Sequence, residues 1–211
     1  MRRSFVAAAL ASALCAGAAA QEKPRTPADI AAKTETEATA AWRYRTAIAG
    51  LLQLKPGMVA AEIGTGTAFV ARAMASQVAP NGRVIAAALD RDMAAYVAER
   101  AKSEGIQNLS TLVVKADGAG LEPASLDAVA IVSAFGDFTA RPEMLRSVAA
   151  ALKPGGALVI VDLPAESVGS RVVGIDADDV VQLASAAGLK REAESTVVPG
   201  HYAIRFRKPT A

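Results

Sequence analysis

Val59-Ala60-Ala61-Glu62-Ile63-Gly64-Thr65-Gly66-Thr67-Ala68 is a short apolar run that ends in an acid and then places two glycines at alternate positions. The run reads as a buried strand, and Phe69 to Val78 carries apolar residues at helical spacing. Between them lies a tight turn at a helix N-terminus. Glycine serves there because backbone must bend sharply or approach a ligand closely. A two-glycine turn by itself is equally well a plain strand–helix connection, so its surroundings must decide.

Working outward, Lys55-Pro56-Gly57 is a turn before the strand Met58–Ile63, and Pro80-Asn81-Gly82 breaks the helix after it. Arg83 to Leu89 is a second apolar strand. Asp92 to Gly105 reads as a helix, with Asp92 in its first turn and Gly105 as its stop. Leu109–Val114 and Leu126–Ser133 follow as strands, separated only by a short Gly/Pro/Ser-containing connection. Arg141-Pro142-Glu143 opens a helix to about Leu152, Lys153-Pro154-Gly155-Gly156 ends it, and Ala157–Asp162 is a fifth strand. Asp176 to Ala187 is a helix stopped by Gly188. Glu192–Val197 and Tyr202–Arg207 form a terminal hairpin around Pro199-Gly200. Strands that are apolar throughout and alternate with helices imply an α/β fold, a doubly wound, mostly parallel seven-stranded sheet. The terminal hairpin turns one strand antiparallel.

Upstream, residues 1–20 have the pattern of a secretory signal peptide: Arg2-Arg3, an apolar run from Phe5, and Ala18-Ala19-Ala20 before Gln21. That run is short for a membrane span, which needs about 20 apolar residues. A lipoprotein signal at Cys15 is disfavoured by Leu14 before it. The expected location is therefore periplasmic or secreted, with cleavage near Ala20 and no stable membrane span afterwards. The chain's 23 basic and 21 acidic residues become 21 of each once Arg2 and Arg3 leave, and the one cysteine leaves as well. A neutral chain without a basic block does not suggest nucleic-acid binding. One histidine, His201, argues against a histidine-based metal site.

Residues 21–36 read as a polar linker or arm, and residues 37–211 as one domain with an N-terminal helix. With 52% hydrophobic and 21% charged residues the chain can build a real core. From about Asp29 to Leu54 the pattern is helical, anchored by Trp42, Ile48, Leu51 and Leu52. Trp42-Arg43-Tyr44-Arg45 reads as a helix that packs its aromatics and solvates its arginines, with a lid over the glycine turn as the functional alternative.

The order of these motifs resembles the class I S-adenosylmethionine-dependent methyltransferases, over about Leu54 to Pro209. Glu62–Gly66 looks like that family's first motif, and Gly82-Arg83-Val84-Ile85-Ala86 with Leu89-Asp90 and Met93 looks like its second. Ala116-Asp117-Gly118 sits where the family contacts adenine. Leu126-Asp127-Ala128-Val129 is similar to its fourth strand, and Ala151-Leu152-Lys153-Pro154-Gly155-Gly156 to the turn before its fifth. The arrangement with Val198-Pro199-Gly200-His201-Tyr202 is similar to a group of exported methyltransferase-like proteins. A dinucleotide-binding Rossmann protein is the rival fold, but its third glycine would fall at Phe69.

The resemblance implies S-adenosylmethionine as cofactor and an unidentified small-molecule or other methyl acceptor as partner. It implies that Gly64, Thr65 and Gly66 admit the cofactor's amino-acid end, that Glu62 orients its ammonium, and that Asp117 with Gly118 meets the adenine. The residue types alone leave Glu62 and Asp117 open as helix or loop caps. Three positions depart from the family. Ala88 stands where an acid normally holds the ribose, with Asp90 as a substitute or as ordinary loop. Ala68 stands where a third glycine is usual, which an already helical backbone would tolerate. Gly136, in Phe135-Gly136-Asp137, stands where the exported group has histidine. Asp137 remains as the one candidate base or substrate anchor, against a plain turn aspartate, and His201 reads as a turn residue. Two functions follow: an exported methyltransferase, or an exported non-catalytic binding protein with a degraded cofactor pocket.

Overall fold

The structure is a computed structural model that describes residues 25–115, 117–168 and 171–210; the segment read as a signal peptide lies outside them. In chain order the elements are α1 (Pro27–Thr34), α2 (Ala40–Arg43), α3 (Arg45–Leu51), β1 (Val59–Ile63), α4 (Phe69–Val78), β2 (Arg83–Ala88) and α5 (Arg91–Ser103). Then come β3 (Leu109–Val113), β4 (Leu126–Val132), a 3-10 turn (Phe135–Asp137), α6 (Arg141–Ala151), β5 (Leu152–Asp162), β6 (Glu166–Val168), β7 (Arg171–Val173), α7 (Ala177–Ala186), β8 (Lys190–Ser195) and β9 (Tyr202–Arg207).

Seven of the strands make one sheet in the order β3-β2-β1-β4-β5-β9-β8. The first five pair in parallel, and β9 runs antiparallel to both β5 and β8. This is the doubly wound architecture expected from the strand–helix alternation. Successive side chains of a strand point to opposite faces, and both faces are dry. Thus Val129, Ile131, Leu158 and Ile160 pack with Met144, Leu145, Val148 and Val180 of α6 and α7. Ala128, Ala130, Val159 and Val161 pack with Ile48, Val70, Met74 and Val97 of α3, α4 and α5. Neighbours β1 and β4 at the centre of the sheet come from opposite halves of the winding, so a crevice opens where their C-terminal ends diverge.

Several boundaries differ from the sequence expectation for local reasons. The helical stretch before Leu54 is three pieces. It starts at Pro27, inside the segment read as a linker, because Thr26 and Asp29 form a reciprocal capping box. It breaks at residues 35–39, where Thr36 and Thr39 hydroxyls face one another and Thr39 also bonds Lys33 O, competing with helix bonds. Strand β5 begins at Leu152 rather than Ala157, because Leu126 pairs with Leu152 before the Lys153–Gly156 irregularity and Ala128 pairs with Ala157 after it. The small hairpin β6–β7 was not legible in the sequence.

Candidate functional site

Strand β1 delivers Glu62 and the glycine turn to the crevice between β1 and β4. Gly64 and Thr65 donate their N–H groups to Ala87 O at 3.0 and 3.2 Å, which ties the turn to the end of β2. Gly64 has φ +70° and Gly66 φ +48°, so both use the left-handed region that side chains resist. Their surroundings differ. A Cβ on Gly64 would lie 2.7 Å from the Ala134 Cβ, whereas one on Gly66 would meet nothing within 4 Å. Gly64 is required by packing as well as by φ; Gly66 faces open space.

Ala68 overturns its expectation. It is left-handed, with φ 59° and ψ 30°, and caps α4 instead of lying within it, so the backbone there is not helical. The third glycine of the motif would relieve a strain of about 1–2 kcal/mol. Removing a buried methyl and adding chain entropy costs about the same. Ala68→Gly is therefore expected to leave stability within about 0.5 kcal/mol, whereas Ala71→Gly, one turn on in α4, should cost about 1.5–2 kcal/mol. Urea denaturation of the two variants measures the contrast.

Glu62 is 2% exposed. Its Oε2 accepts from Thr65 Oγ1 and from Ala71 N, both at 2.8 Å, so it braces the turn and the first turn of α4. Burial pushes its carboxyl up to about 7, against the lowering pull of the Thr65 and Ala71 bonds and of Arg72. Beside it Thr67 is also 2% exposed, and its hydroxyl is buried without a hydrogen-bond partner among the described residues. An orphaned hydroxyl in a glycine turn is an opening for a polar ligand.

Glu62, Thr67 and the glycines line a cavity of about 160 Å³ whose outer wall is the N-terminal segment: Ile30, Thr34, Thr39 and Ala41. That segment is clamped in place. Glu35 is 7% exposed in its side chain and pairs with Arg72 of α4 at 2.7 Å and Arg100 of α5 at 3.1 Å. Trp42 packs edge-on against Phe69 at 5.8 Å, and Arg45 lies 3.9 Å over the Trp42 ring. The aromatics of Trp42–Arg45 pack as expected, but Arg45 is half-buried on the Trp42 ring instead of solvated, and the residues that cover the turn lie upstream, from Ile30 to Ala41.

The other sequence candidates lie along the same C-terminal edge of the sheet. Asp90 caps α5, with Oδ1 accepting from Met93 N at 2.7 Å. Ala88, the position of the missing ribose acid, is 1% exposed at the end of β2. Asp117 is exposed beyond β3, and Gly118 bridges back to Lys115. Missed in the sequence were Leu89 and Val113, 43% and 45% exposed at the ends of neighbouring strands β2 and β3. Exposed apolar side chains at the ends of these strands are surface that a flat apolar group could cover. Their signal was an apolar run continuing past the point where a strand should end.

On the far side of β1, Asp137 is exposed in the 3-10 turn. Asp162, also missed, holds that turn: its Oδ2 accepts from Phe135 N and Gly136 N at 3.0 and 3.2 Å, and Oδ1 from Leu163 N at 2.8 Å. Burial raises its carboxyl above the usual range. Arg141 bonds the Phe135 and Gly136 carbonyls from the other side. A Cβ on Gly136 would come within 3.2 Å of Gly174 backbone, so the histidine of the exported group does not fit without moving that loop. His201 Nδ1 donates to Pro199 O within the β8–β9 turn, and the residue is not brought to Asp137 by any contact among the described residues. No group of His, Cys, Asp and Glu able to hold a metal ion occurs among the described residues, and no described helix is long and apolar enough to cross a membrane.

Residues 60–156 match the profile of a methyltransferase domain family. Over 110 residues the chain is 27% identical to a ubiquinone/menaquinone biosynthesis C-methyltransferase of Hydrogenovibrio crunogenus; the match takes in 52% of this chain and 43% of that protein's length. Among solved structures, a SAM-dependent methyltransferase from Aquifex aeolicus superposes with a TM-score of 0.75 at 19% identity, covering 88% of this chain and all of the other. The [4+2]-cyclase SpnF superposes with a TM-score of 0.70 at 17% identity, covering 80% and 81%. At such identities the structures establish the fold.

Proposed function

We propose that this chain, whose residues 60–156 match a methyltransferase domain family on a methyltransferase-type fold, transfers the methyl group of S-adenosylmethionine to an acceptor admitted beside the Ser133–Phe138 loop, and that it does so after export. The observation that carries the reading is the glycine turn at the β1–β4 crevice. There an open Gly66, an unpartnered Thr67 hydroxyl and the Glu62 carboxylate face one cavity. These residues fit the amino-acid end of the cofactor: backbone can approach at Gly66, Thr67 offers a hydroxyl, and Glu62 offers a carboxylate for an ammonium.

Bound there, the cofactor supplies an electrophilic methyl on a sulfonium. The protein's own part is alignment. Asp162 and Arg141 fix the 3-10 turn from both sides, which sets where Asp137 stands relative to the crevice. Asp137 is exposed and would orient an acceptor or take its proton. Leu89 and Val113 offer the apolar floor for adenine, with Asp117 at its rim. The clamped segment Ile30–Ala41 keeps water from the turn. Export rests on the signal-like pattern of residues 1–20.

A second reading, a binding protein with a degraded cofactor pocket, is favoured by the buried Ala88 and by the Gly136–Gly174 contact that replaces a histidine. Calorimetric titration with S-adenosylmethionine and S-adenosylhomocysteine separates the two. Methyl transfer requires saturable binding that Thr67→Val weakens. Absence of heat at millimolar ligand rejects it in favour of the second reading.

A further inference from the structure

The end of the sheet opposite the glycine turn holds another recess, of about 200 Å³, between the α3–β1 connection, the start of β5 and the end of β9. Four cationic side chains line it: Lys55, Lys153, Arg205 and Arg207. Two carboxylates answer them. Lys153 Nζ donates to Asp127 Oδ1 at 2.8 Å, while Asp127 Oδ2 is taken by Val59 N. Glu192 serves both arginines. Arg207 Nη2 donates to its two oxygens at 2.7 and 2.9 Å, and Arg205 Nε stands 2.9 Å from Oε2. The carboxylate reaches them because β8 is bulged between Arg191 and Ala193. Two positive charges remain in excess. Lys55 is exposed and forms no ion pair among the described residues.

Arg205 is the member that a plain cross-strand salt bridge does not explain. Its side chain is 8% exposed. Its Nε–H does not point at the carboxylate beside it, so among the described residues that buried nitrogen has no hydrogen-bond partner. Among the described residues its one side-chain hydrogen bond is Nη1 to Leu51 O at 3.3 Å. Burial pushes its guanidinium below the usual range, with Glu192 opposing and Arg207 adding to the fall. A buried guanidinium with an unbonded N–H is costly even beside a carboxylate, and a further acceptor would lower that cost. A Glu192–Arg207 bridge accounts for the hairpin. It does not account for a second, buried arginine lining a recess that two lysines also line.

We propose that this recess binds a phosphate group, held by Arg205 with Lys55 and Lys153 at its rim. Two uncompensated positive charges match a dianion, and a guanidinium presents paired donors to a tetrahedral oxyanion. The site is separate from the cofactor turn and does not rest on methyl transfer. Inorganic phosphate and a phosphate monoester share this chemistry, so both serve as probes.

The test is titration of the protein at constant ionic strength with inorganic phosphate and with phenyl phosphate, followed by calorimetry and phosphorus NMR. Saturable binding to one site is expected, weakened about tenfold by Lys55→Met and more by Arg205→Leu. Lys33→Met, exposed on α1, should leave it unchanged. Lys55 is exposed, so its variant keeps the fold and keeps S-adenosylhomocysteine titration as in the parent. Tighter binding of phenyl phosphate identifies an ester as the occupant; tighter binding of inorganic phosphate identifies the free anion. Failure of both to saturate at tens of millimolar overturns the proposal. Binding that Lys55→Met and Arg205→Leu leave unchanged also overturns it.

Discussion

Gly64→Ala is expected to destabilise the protein by about 2–5 kcal/mol and to weaken S-adenosylhomocysteine binding at least about tenfold. Two terms add. A left-handed φ of +70° costs a residue with a Cβ about 1–2 kcal/mol. The new methyl would also stand 2.7 Å from the Ala134 Cβ and 3.4 Å from the Phe138 ring, an overpacking worth about 1–3 kcal/mol. The terms are separable. Ala134→Gly removes the nearest clash and leaves the dihedral strain, so the double variant should recover about 1–2 kcal/mol relative to additivity. Urea denaturation of the four proteins measures the coupling. An additive pair would mean that Ala134 is not what Gly64 must clear. Because Ala134 begins the loop that carries Asp137, the same clash pushes on the acceptor side of the crevice. The binding loss should therefore exceed what the stability change alone predicts.

Glu62 should make the ligand-free protein less stable as pH rises. Its carboxyl titrates near 7 in the folded chain against 4.5 unfolded, because burial disfavours the charge. Below about pH 4.5 both states hold the proton. Between 4.5 and 7 the unfolded state has lost it and the native state keeps it. Stability therefore falls across this window and is lowest once the native carboxyl ionises, a difference of about 3 kcal/mol. Glu62→Gln keeps the shape and removes the titration. The stability difference between parent and variant should change by about that amount from pH 4.5 to 7.5, and a constant difference would mean the carboxyl titrates normally. Binding inverts the trend. A cofactor ammonium favours the carboxylate, so affinity should rise with pH, with uptake of ligand near pH 6 releasing close to one proton. Calorimetry in two buffers of different ionisation heat counts it. Glu62→Gln should weaken binding about ten- to a hundredfold and abolish the proton release.

Much of the fold was legible in the chain. The apolar strands, the glycine and proline stops and their alternation specify a parallel sheet because strands covered on both faces carry no period-two polarity. Gly64 and Gly66 were readable for the same kind of reason, since a turn of that tightness excludes side chains. Asp90 was ambiguous in sequence. Its place three residues before Met93 in a strand–helix junction makes it an N-cap, and only the hydrogen bond shows the cap to be made.

What the sequence by itself determined is therefore local: the order of elements, the turn at Val59–Ala68, and the absence of an acid at Ala88. These depend on backbone propensity and on residue identity, both readable without neighbours. Tertiary structure decided the rest. It gave Ala68 a left-handed backbone, brought Ile30–Ala41 over the turn through Glu35, Arg72 and Arg100, and left the Thr67 hydroxyl without a partner. It also set Asp162 beneath the Asp137 turn and gathered Lys55, Lys153 and Arg205 into one recess. Residues a hundred positions apart meet there, and burial, unlike propensity, depends on everything around a side chain. The charge that Glu62 carries, and with it the chemistry of the turn, is a property of that burial.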